Sequence, residues 1–331
     1  MRSFTDELGW LPTCRSSIFR TNGITGDDIA MRKRIGFIGL GAMGLPMLEN
    51  LARGNEYEIY AYDLSETPFA KLEKHASWLT SLFRADSFAA FSSCQTVILM
   101  LPNSAAVNSV VLGGKGGSGV ANALQPGARI VDMGSSDPIE TQRLAAILKP
   151  FGIQLVDAPV SGAVAKAKTG ELAIMVGARG DELDALHPLL SCMGSSIIPC
   201  GEVGSAHAMK ALNNYVYAAG LRAVAEAVLI AEKSGLDTTV FAEVLNVSSG
   251  RNVATETKLK QFILPGEYAG GFLLRLQAKD LAIADRLRMQ SGIEAGQLAA
   301  CAALWAQATE AMPDADNTAI HRYLRNVSAV A

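Results

Sequence analysis

The chain has 331 residues, 49% of them apolar and 18% charged, and carries a net charge of −3. This length allows two domains with cores of their own, and the composition excludes a disordered chain. The balanced charge leaves no electrostatic footprint for nucleic acid or an anionic membrane, and no apolar stretch reaches the length of a bilayer span, so a cytoplasmic protein is expected.

Residues 1–30 lack a continuous apolar stretch of the secretory type and include Asp6, Glu7, Asp27 and Asp28, which argue against a presequence. Met31-Arg32-Lys33-Arg34 then leads straight into a strand, so 1–30 is read as an extension outside the fold. Ile35 to Ile38 is an apolar run of strand type, and Gly39-Leu40-Gly41-Ala42-Met43-Gly44 follows it as a GxGxxG turn. Met47, Leu48 and Leu51 then recur at helical spacing. Strand, glycine turn and helix in this order are the context of a dinucleotide site. Gly39 permits the turn, Gly41 lets the backbone approach a pyrophosphate, and Gly44 lets helix and strand pack closely. The unpaired N–H groups at the helix start receive the phosphate charge.

Tyr57 to Tyr62 alternates as a strand and ends at Asp63, 19 residues after Gly44. An acid there binds ribose hydroxyls and repels a 2′-phosphate, and the next residue is Leu64 instead of an arginine. NAD is therefore expected over NADP. A helix is expected over about 66–75, followed by a polar–apolar mixture over 76–93. Val97 to Leu101 is a buried strand ended by Pro102-Asn103, which makes Leu101, Pro102 and Asn103 candidate cofactor contacts at the carboxyl end of a parallel strand. Asn103 also suits a turn. The glycine-rich run 113–119 lacks the Lys-Ser/Thr ending of a phosphate loop and reads as a surface loop.

Arg129 to Met133 is the next strand, and it runs into Gly134-Ser135-Ser136-Asp137-Pro138, with Ser136 or Asp137 as helix cap. Ile153 to Val156 meets Asp157-Ala158-Pro159-Val160-Ser161-Gly162-Ala163, and Glu171 to Val176 and Ser195 to Ile198 read as two more strands around a helix at 181–192. This alternation is a doubly wound α/β domain over residues 31–200. From 204 to 234 runs one long apolar helix, followed by helices near 238–247, 252–263, 276–291, 294–311 and 317–326. An all-α domain over 201–331 is expected, its long helix covered by its own domain or by another subunit. The five cysteines contain no CxxC pair, and Cys192 and Cys200 lack histidines at zinc spacing, so reduced thiols and no metal site are expected.

Lys210 and Asn214 are four apart near the start of the long helix and share a face, with His207 three residues before the lysine. A lysine reaching solvent from a surface stripe is the plain alternative for Lys210.

Four motifs in order, GFIGLGAMGLPM (36–47), DAPVSGA (157–163), GSAHAMKALNN (204–214) and GFLLRLQAKDLAIA (271–284), make the chain resemble the β-hydroxyacid dehydrogenases. That group holds the 3-hydroxyisobutyrate, tartronate semialdehyde and 6-phosphogluconate dehydrogenases. The resemblance implies Lys210 as acid/base and Asn214 as its orienting partner. It implies Ser161, Gly162 and Ala163 around a substrate carboxylate, and Ser135, Phe272, Lys279 and Asp280 near the cofactor. It further implies a homodimer or homotetramer acting on a small hydroxy acid. An imine reductase of the same fold would lack the lysine. The sequence departs from the family at Gly134, where serine is common, and at Ala163 and Ala206, where glycine is usual.

Overall fold

Six short runs rich in Ile, Val and Leu form one parallel sheet: β1 (Lys33–Ile38), β2 (Tyr57–Tyr62), β3 (Leu82–Arg84), β4 (Thr96–Leu99), β5 (Arg129–Asp132) and β6 (Gln154–Asp157). Their order is β3-β2-β1-β4-β5-β6. The chain winds outward from β1 in one direction, returns, and winds outward from β4 in the other. The crevice beyond the carboxyl ends of β1 and β4 is therefore the switch point at which such sheets bind ligands. The computed structural model describes residues 32–54, 56–114 and 117–330. The expected extension at 1–30 lies outside the described residues.

Around the sheet pack α1 (Gly44–Arg53), α2 (Phe69–Leu72), α3 (Ser104–Leu112), α4 (Pro138–Leu148), α5 (Ala163–Thr169) and α6 (Gly180–Ser191). In β4, Val97 and Leu99 join a core shared with Val107 and Val111 of α3 and Leu144 and Leu148 of α4. Ile98 points the other way, into a core with Met47, Leu48 and Leu51 of α1 and Leu186 and Leu190 of α6. A strand covered on both faces has no polar side to show, which is why its sequence is a continuous apolar run.

Three expectations are corrected here. The helix expected over 66–75 is a single turn at Phe69–Leu72, and the mixture at 76–93 holds β3 and a 3₁₀ turn at Phe88–Phe91. The strands read at 171–176 and 195–198 do not extend the parallel sheet. With a two-residue strand inside the DAPVSGA motif they form a second sheet of β7 (Val160–Ser161), β8 (Leu172–Val176) and β9 (Gly194–Pro199). β7 and β8 are antiparallel, because the chain reverses around α5 instead of crossing over the sheet.

The remainder is helical: α7 (Ser205–Lys233), α8 (Thr238–Val247), α9 (Leu274–Ser291), α10 (Gly296–Ala311) and α11 (Ile320–Val330). The segment expected as an α-helix over 252–263 winds as a π-helix at Thr255–Ile263, and the one expected at 317–326 opens with a 3₁₀ turn at Asn317–Ala319. One face of α7 carries Ala211, Ala218, Leu221, Ala225 and Val228 into a core with Leu274 and Leu281 of α9 and Trp305 of α10. The small alanines let the helices approach closely. Val216 and Ile230, on the other side of α7, are exposed. No helix among the described residues is long and apolar enough to cross a membrane.

Candidate active site

The glycine turn joins β1 to α1. Gly39 has φ +100°, and a Cβ on it would overlap the Met100 carbonyl; one on Gly44 would overlap the carbonyl of Gly39. Both glycines are demanded by the fold itself. Gly41 is different, since a Cβ built there meets no described atom within 4 Å. Its bareness leaves room for a group approaching from outside. α1 begins without a side-chain cap or an acidic residue in its first turn. The Leu45 N–H is taken by the Gly41 carbonyl at 3.1 Å and Pro46 has none, but the N–H groups of Ala42, Met43 and Gly44 have no partner among the described residues and are open to an anion. Asp63 stands against this turn, its Oδ2 accepting from the Leu40 N–H at 2.6 Å and its Oδ1 from the Ser65 N–H at 2.7 Å. An open glycine, an uncapped helix start and a carboxylate at the end of β2 fit a dinucleotide.

The next two strand ends are held by α9. Lys279 donates from Nζ to the carbonyls of Pro102 (3.2 Å) and Ser135 (2.5 Å), and so ties the loops after β4 and β5 together. Asp280, 2% exposed, accepts from Ser135 Oγ at 2.7 Å on one oxygen and from Asn214 Nδ2 at 2.5 Å on the other. Ser135, Asp280, Asn214 and Lys279 thus form one connected group. Lys210 lies one turn before Asn214 on α7 and is partly buried. Burial lowers its pKa below the usual lysine value; Asp280 opposes this and Lys279 adds to it.

Other expected residues fall as follows. Leu101 packs against the core on the α3–α4 side of the sheet, and Asn103 caps α3 by accepting from the Ala106 N–H at 2.9 Å, so the turn role holds for it. Asp137, not Ser136, caps α4. A Cβ on Gly134 would sit 2.5 Å from the Leu101 carbonyl oxygen, so this close approach of two loops calls for glycine. Ser161 lies in β7, Gly162 has φ +138°, and Ala163 opens α5 at φ +55°. Phe272 precedes α9, with its backbone held to the 316–317 turn through Asp316 Oδ2 (3.0 Å) and the Asn317 N–H (2.7 Å).

The family model for the NAD-binding domain of 6-phosphogluconate dehydrogenase matches residues 34–201. A second, described as NAD-binding of NADP-dependent 3-hydroxyisobutyrate dehydrogenase, matches residues 204–324. A 2-(hydroxymethyl)glutarate dehydrogenase of Eubacterium barkeri is 39% identical over 251 residues, covering 76% of this chain and 81% of that protein. The chain belongs to the β-hydroxyacid dehydrogenase family. Among other members, the NAD-dependent L-serine dehydrogenase of Pseudomonas aeruginosa is 32% identical over 271 residues, covering 78% of this chain and 86% of that one. The solved structure of Mycobacterium tuberculosis 3-hydroxyisobutyrate dehydrogenase with L-serine superposes with a TM-score of 0.79 at 29% identity, covering 89% of this chain and all of the other. As in the family's NAD(P)-dependent dehydrogenases of hydroxy acids, the parallel sheet of this member is followed by a helical region.

Some residues that shape this β-hydroxyacid dehydrogenase's site were not given roles by sequence. Asp157 stands in the DAPVSGA motif, yet its carboxylate is fully buried; it accepts from the backbone N–H of Gly204 at 2.7 Å and of His207 at 2.8 Å. Gln277 donates to the Asn214 carbonyl at 3.0 Å and so braces α7 from α9. His207 does not line the site, since it is 1% exposed and lies beneath the start of α7. Its histidine type was the visible signal; its burial was not readable, because its neighbours are 50 and 66 residues away.

Proposed function

We propose that the protein oxidises the alcohol carbon of a small 3-hydroxy acid of the 3-hydroxyisobutyrate type, with NAD as acceptor and Lys210 as acid/base. In the reverse direction it would reduce the corresponding aldehyde acid; the alternative substrate is tartronate or succinic semialdehyde or a related small aldehyde acid, reduced with NADH. The observation that carries this reading is the partly buried Lys210, its pKa lowered, one turn from an asparagine whose amide is fixed by Asp280. Bound NAD supplies the hydride acceptor, and the protein's part is to bind, orient and move a proton. Lys210 as neutral amine takes the hydroxyl proton while hydride leaves the carbon; as ammonium it returns the proton to the alkoxide. Asn214 orients the hydroxyl, and Ser161 and the Gly162 N–H hold the carboxylate. Orientation of this kind is a large share of such a site's effect.

Three named substrates or ligands of the relatives, 3-hydroxyisobutyrate, 2-(hydroxymethyl)glutarate and L-serine, share a CH₂OH group on the carbon that bears the carboxylate. The common fragment is the feature we assign to the substrate, with the third substituent on that carbon left to the rest of the pocket. Residues 31–200 would hold the cofactor and 201–331 supply the lysine, in a cytoplasmic homodimer or homotetramer. The test is an initial-rate screen of these acids and semialdehydes with NAD and NADP. Turnover of CH₂OH acids with NAD is expected, and inactivity across the panel would point to a dinucleotide-binding scaffold instead. Asp63→Ala should narrow the gap between the two cofactors; a wild-type enzyme that already prefers NADP would overturn the role of Asp63.

A further inference from the structure

Beneath the first turn of α7 lies a cluster of buried polar side chains that the proposed reaction does not use: Asp132 at the end of β5, Asp157 at the end of β6, Thr141 on α4 and His207. Two backbone N–H groups at the start of α7 are spent on Asp157. Asp132 receives the Gly134 N–H at 2.9 Å and the Ser136 hydroxyl at 2.7 Å. Between the carboxylates sits the His207 ring, with Nε2 3.8 Å from Asp132 Oδ2 and Nδ1 4.0 Å from Asp157 Oδ2.

The protonation of one ring nitrogen follows from counting hydrogens. Thr141 Oγ1 lies 2.8 Å from His207 Nδ1 and 3.0 Å from the carbonyl of Asp137. A carbonyl only accepts, so the single hydroxyl proton of Thr141 goes there, as helical threonines commonly arrange. With the hydroxyl so directed, the threonine oxygen accepts from the imidazole, which puts a proton on Nδ1, while Nε2 is buried with no hydrogen-bond partner among the described residues. This one ring therefore joins α4 to α7 and lies against the ends of β5 and β6. Three of those pieces lead to an expected site residue: β5 to Ser135, β6 to Ser161, and α7 to Lys210 three residues on.

We propose that His207 is a positioning residue, donating from Nδ1 to Thr141 and thereby fixing the first turn of α7 so that Lys210 is set relative to Ser135 and Ser161. The inference rests on Lys210 being the acid/base. It needs no contact between His207 and substrate. Placement errors at this point are costly, since a 1 Å displacement of a reacting group loses about 100-fold in rate.

Asparagine carries its amide nitrogen the same number of bonds from Cα as Nδ1, whereas glutamine carries it one bond further. His207→Asn should keep near wild-type kcat. His207→Gln should lose about 30-fold, within the range expected of a sub-ångström displacement, with the dissociation constant for NADH unchanged because the glycine turn is untouched. Thr141→Val keeps the volume, removes the acceptor and should lower kcat in the same way. Wild-type kcat in both His207→Gln and Thr141→Val, or equal losses in His207→Asn and His207→Gln, overturns the proposal. Nitrogen NMR of the labelled imidazole decides it independently of turnover: a protonated Nδ1 is expected, and a bare Nδ1 overturns it. A wild-type enzyme inactive on every acid of the panel would instead overturn the proposed reaction, and the NMR result would still judge the hydrogen bond.

Discussion

α1 and α7 both begin at glycines, yet α1 starts with no side-chain cap and no acid in its first turn, while the first turn of α7 is filled by the buried carboxylate of Asp157. A helix start leaves backbone N–H groups without intrahelical partners. At α1 those of Ala42, Met43 and Gly44 remain open beside Gly41, where the phosphates of the cofactor would lie in the proposed reading. At α7 such groups are consumed inside the protein, and what the helix gains is a fixed position for the lysine it carries. An open helix start binds; a filled one anchors.

The largest effect expected from breaking this arrangement is at the anchored helix. Lys210→Ala should lower kcat by about 10³–10⁴-fold, the upper range for loss of a general acid/base, and leave NADH binding intact, since α1 is unaltered. Near-normal oxidation by that variant would sink the lysine assignment. The pH dependence has a defined sign. Oxidation needs the neutral amine, so its rate rises with pH and levels off below the usual lysine pKa, because burial lowers that of Lys210. Reduction needs the ammonium and falls over the same range. Profiles of kcat/KM in both directions would check it.

The next test separates the two kinds of glycine at the open helix start. Gly44→Ala places a methyl on the Gly39 carbonyl, and should destabilise the fold by about 1–3 kcal/mol as overpacking does. Gly41→Ala meets no described neighbour, so its melting temperature should hold while the dissociation constant for NADH rises about tenfold or more, equivalent to about 1.4 kcal/mol. If the two variants melted alike and bound NADH alike, the distinction between a glycine required by packing and one required by the ligand would fail.

What could be read from the sequence follows the range of the contacts. The glycine turn, Asp63 and the pair Lys210–Asn214 each lie within a short stretch, and each stands where its spacing placed it. The bonds that assemble them do not: Lys279 reaches Pro102 and Ser135 across 177 and 144 residues, and Asp157 reaches His207 across 50. No local pattern encodes such partners. β3 escaped notice because three residues cannot display a period, and its partner β2 lies some twenty residues earlier in the chain. β8 and β9 were legible as strands but not as a separate sheet, since that depends on the two-residue β7 and the direction in which the chain leaves it.

The smallest effect expected is in the loop proposed to hold the substrate carboxylate, which the buried Asp157 couples to α7. Ala163 sits at φ +55°, a conformation that costs a residue with a Cβ about 1–2 kcal/mol. Replacement by glycine removes that strain but makes the unfolded chain more flexible, which gives back about 0.4–1 kcal/mol. Ala163→Gly should therefore be slightly more stable in a denaturant titration, by about 0.5 kcal/mol, a difference of those two estimates. Gly162→Ala is the opposite case. Its φ of +138° disfavours any side chain, and the new Cβ would lie 2.8 Å from Lys166 Cβ, so stability should fall. A loss of stability in Ala163→Gly would mean that the methyl packs usefully at the mouth of the loop, and the KM values of both variants for the carboxylate substrate would then show whether that packing reaches the ligand.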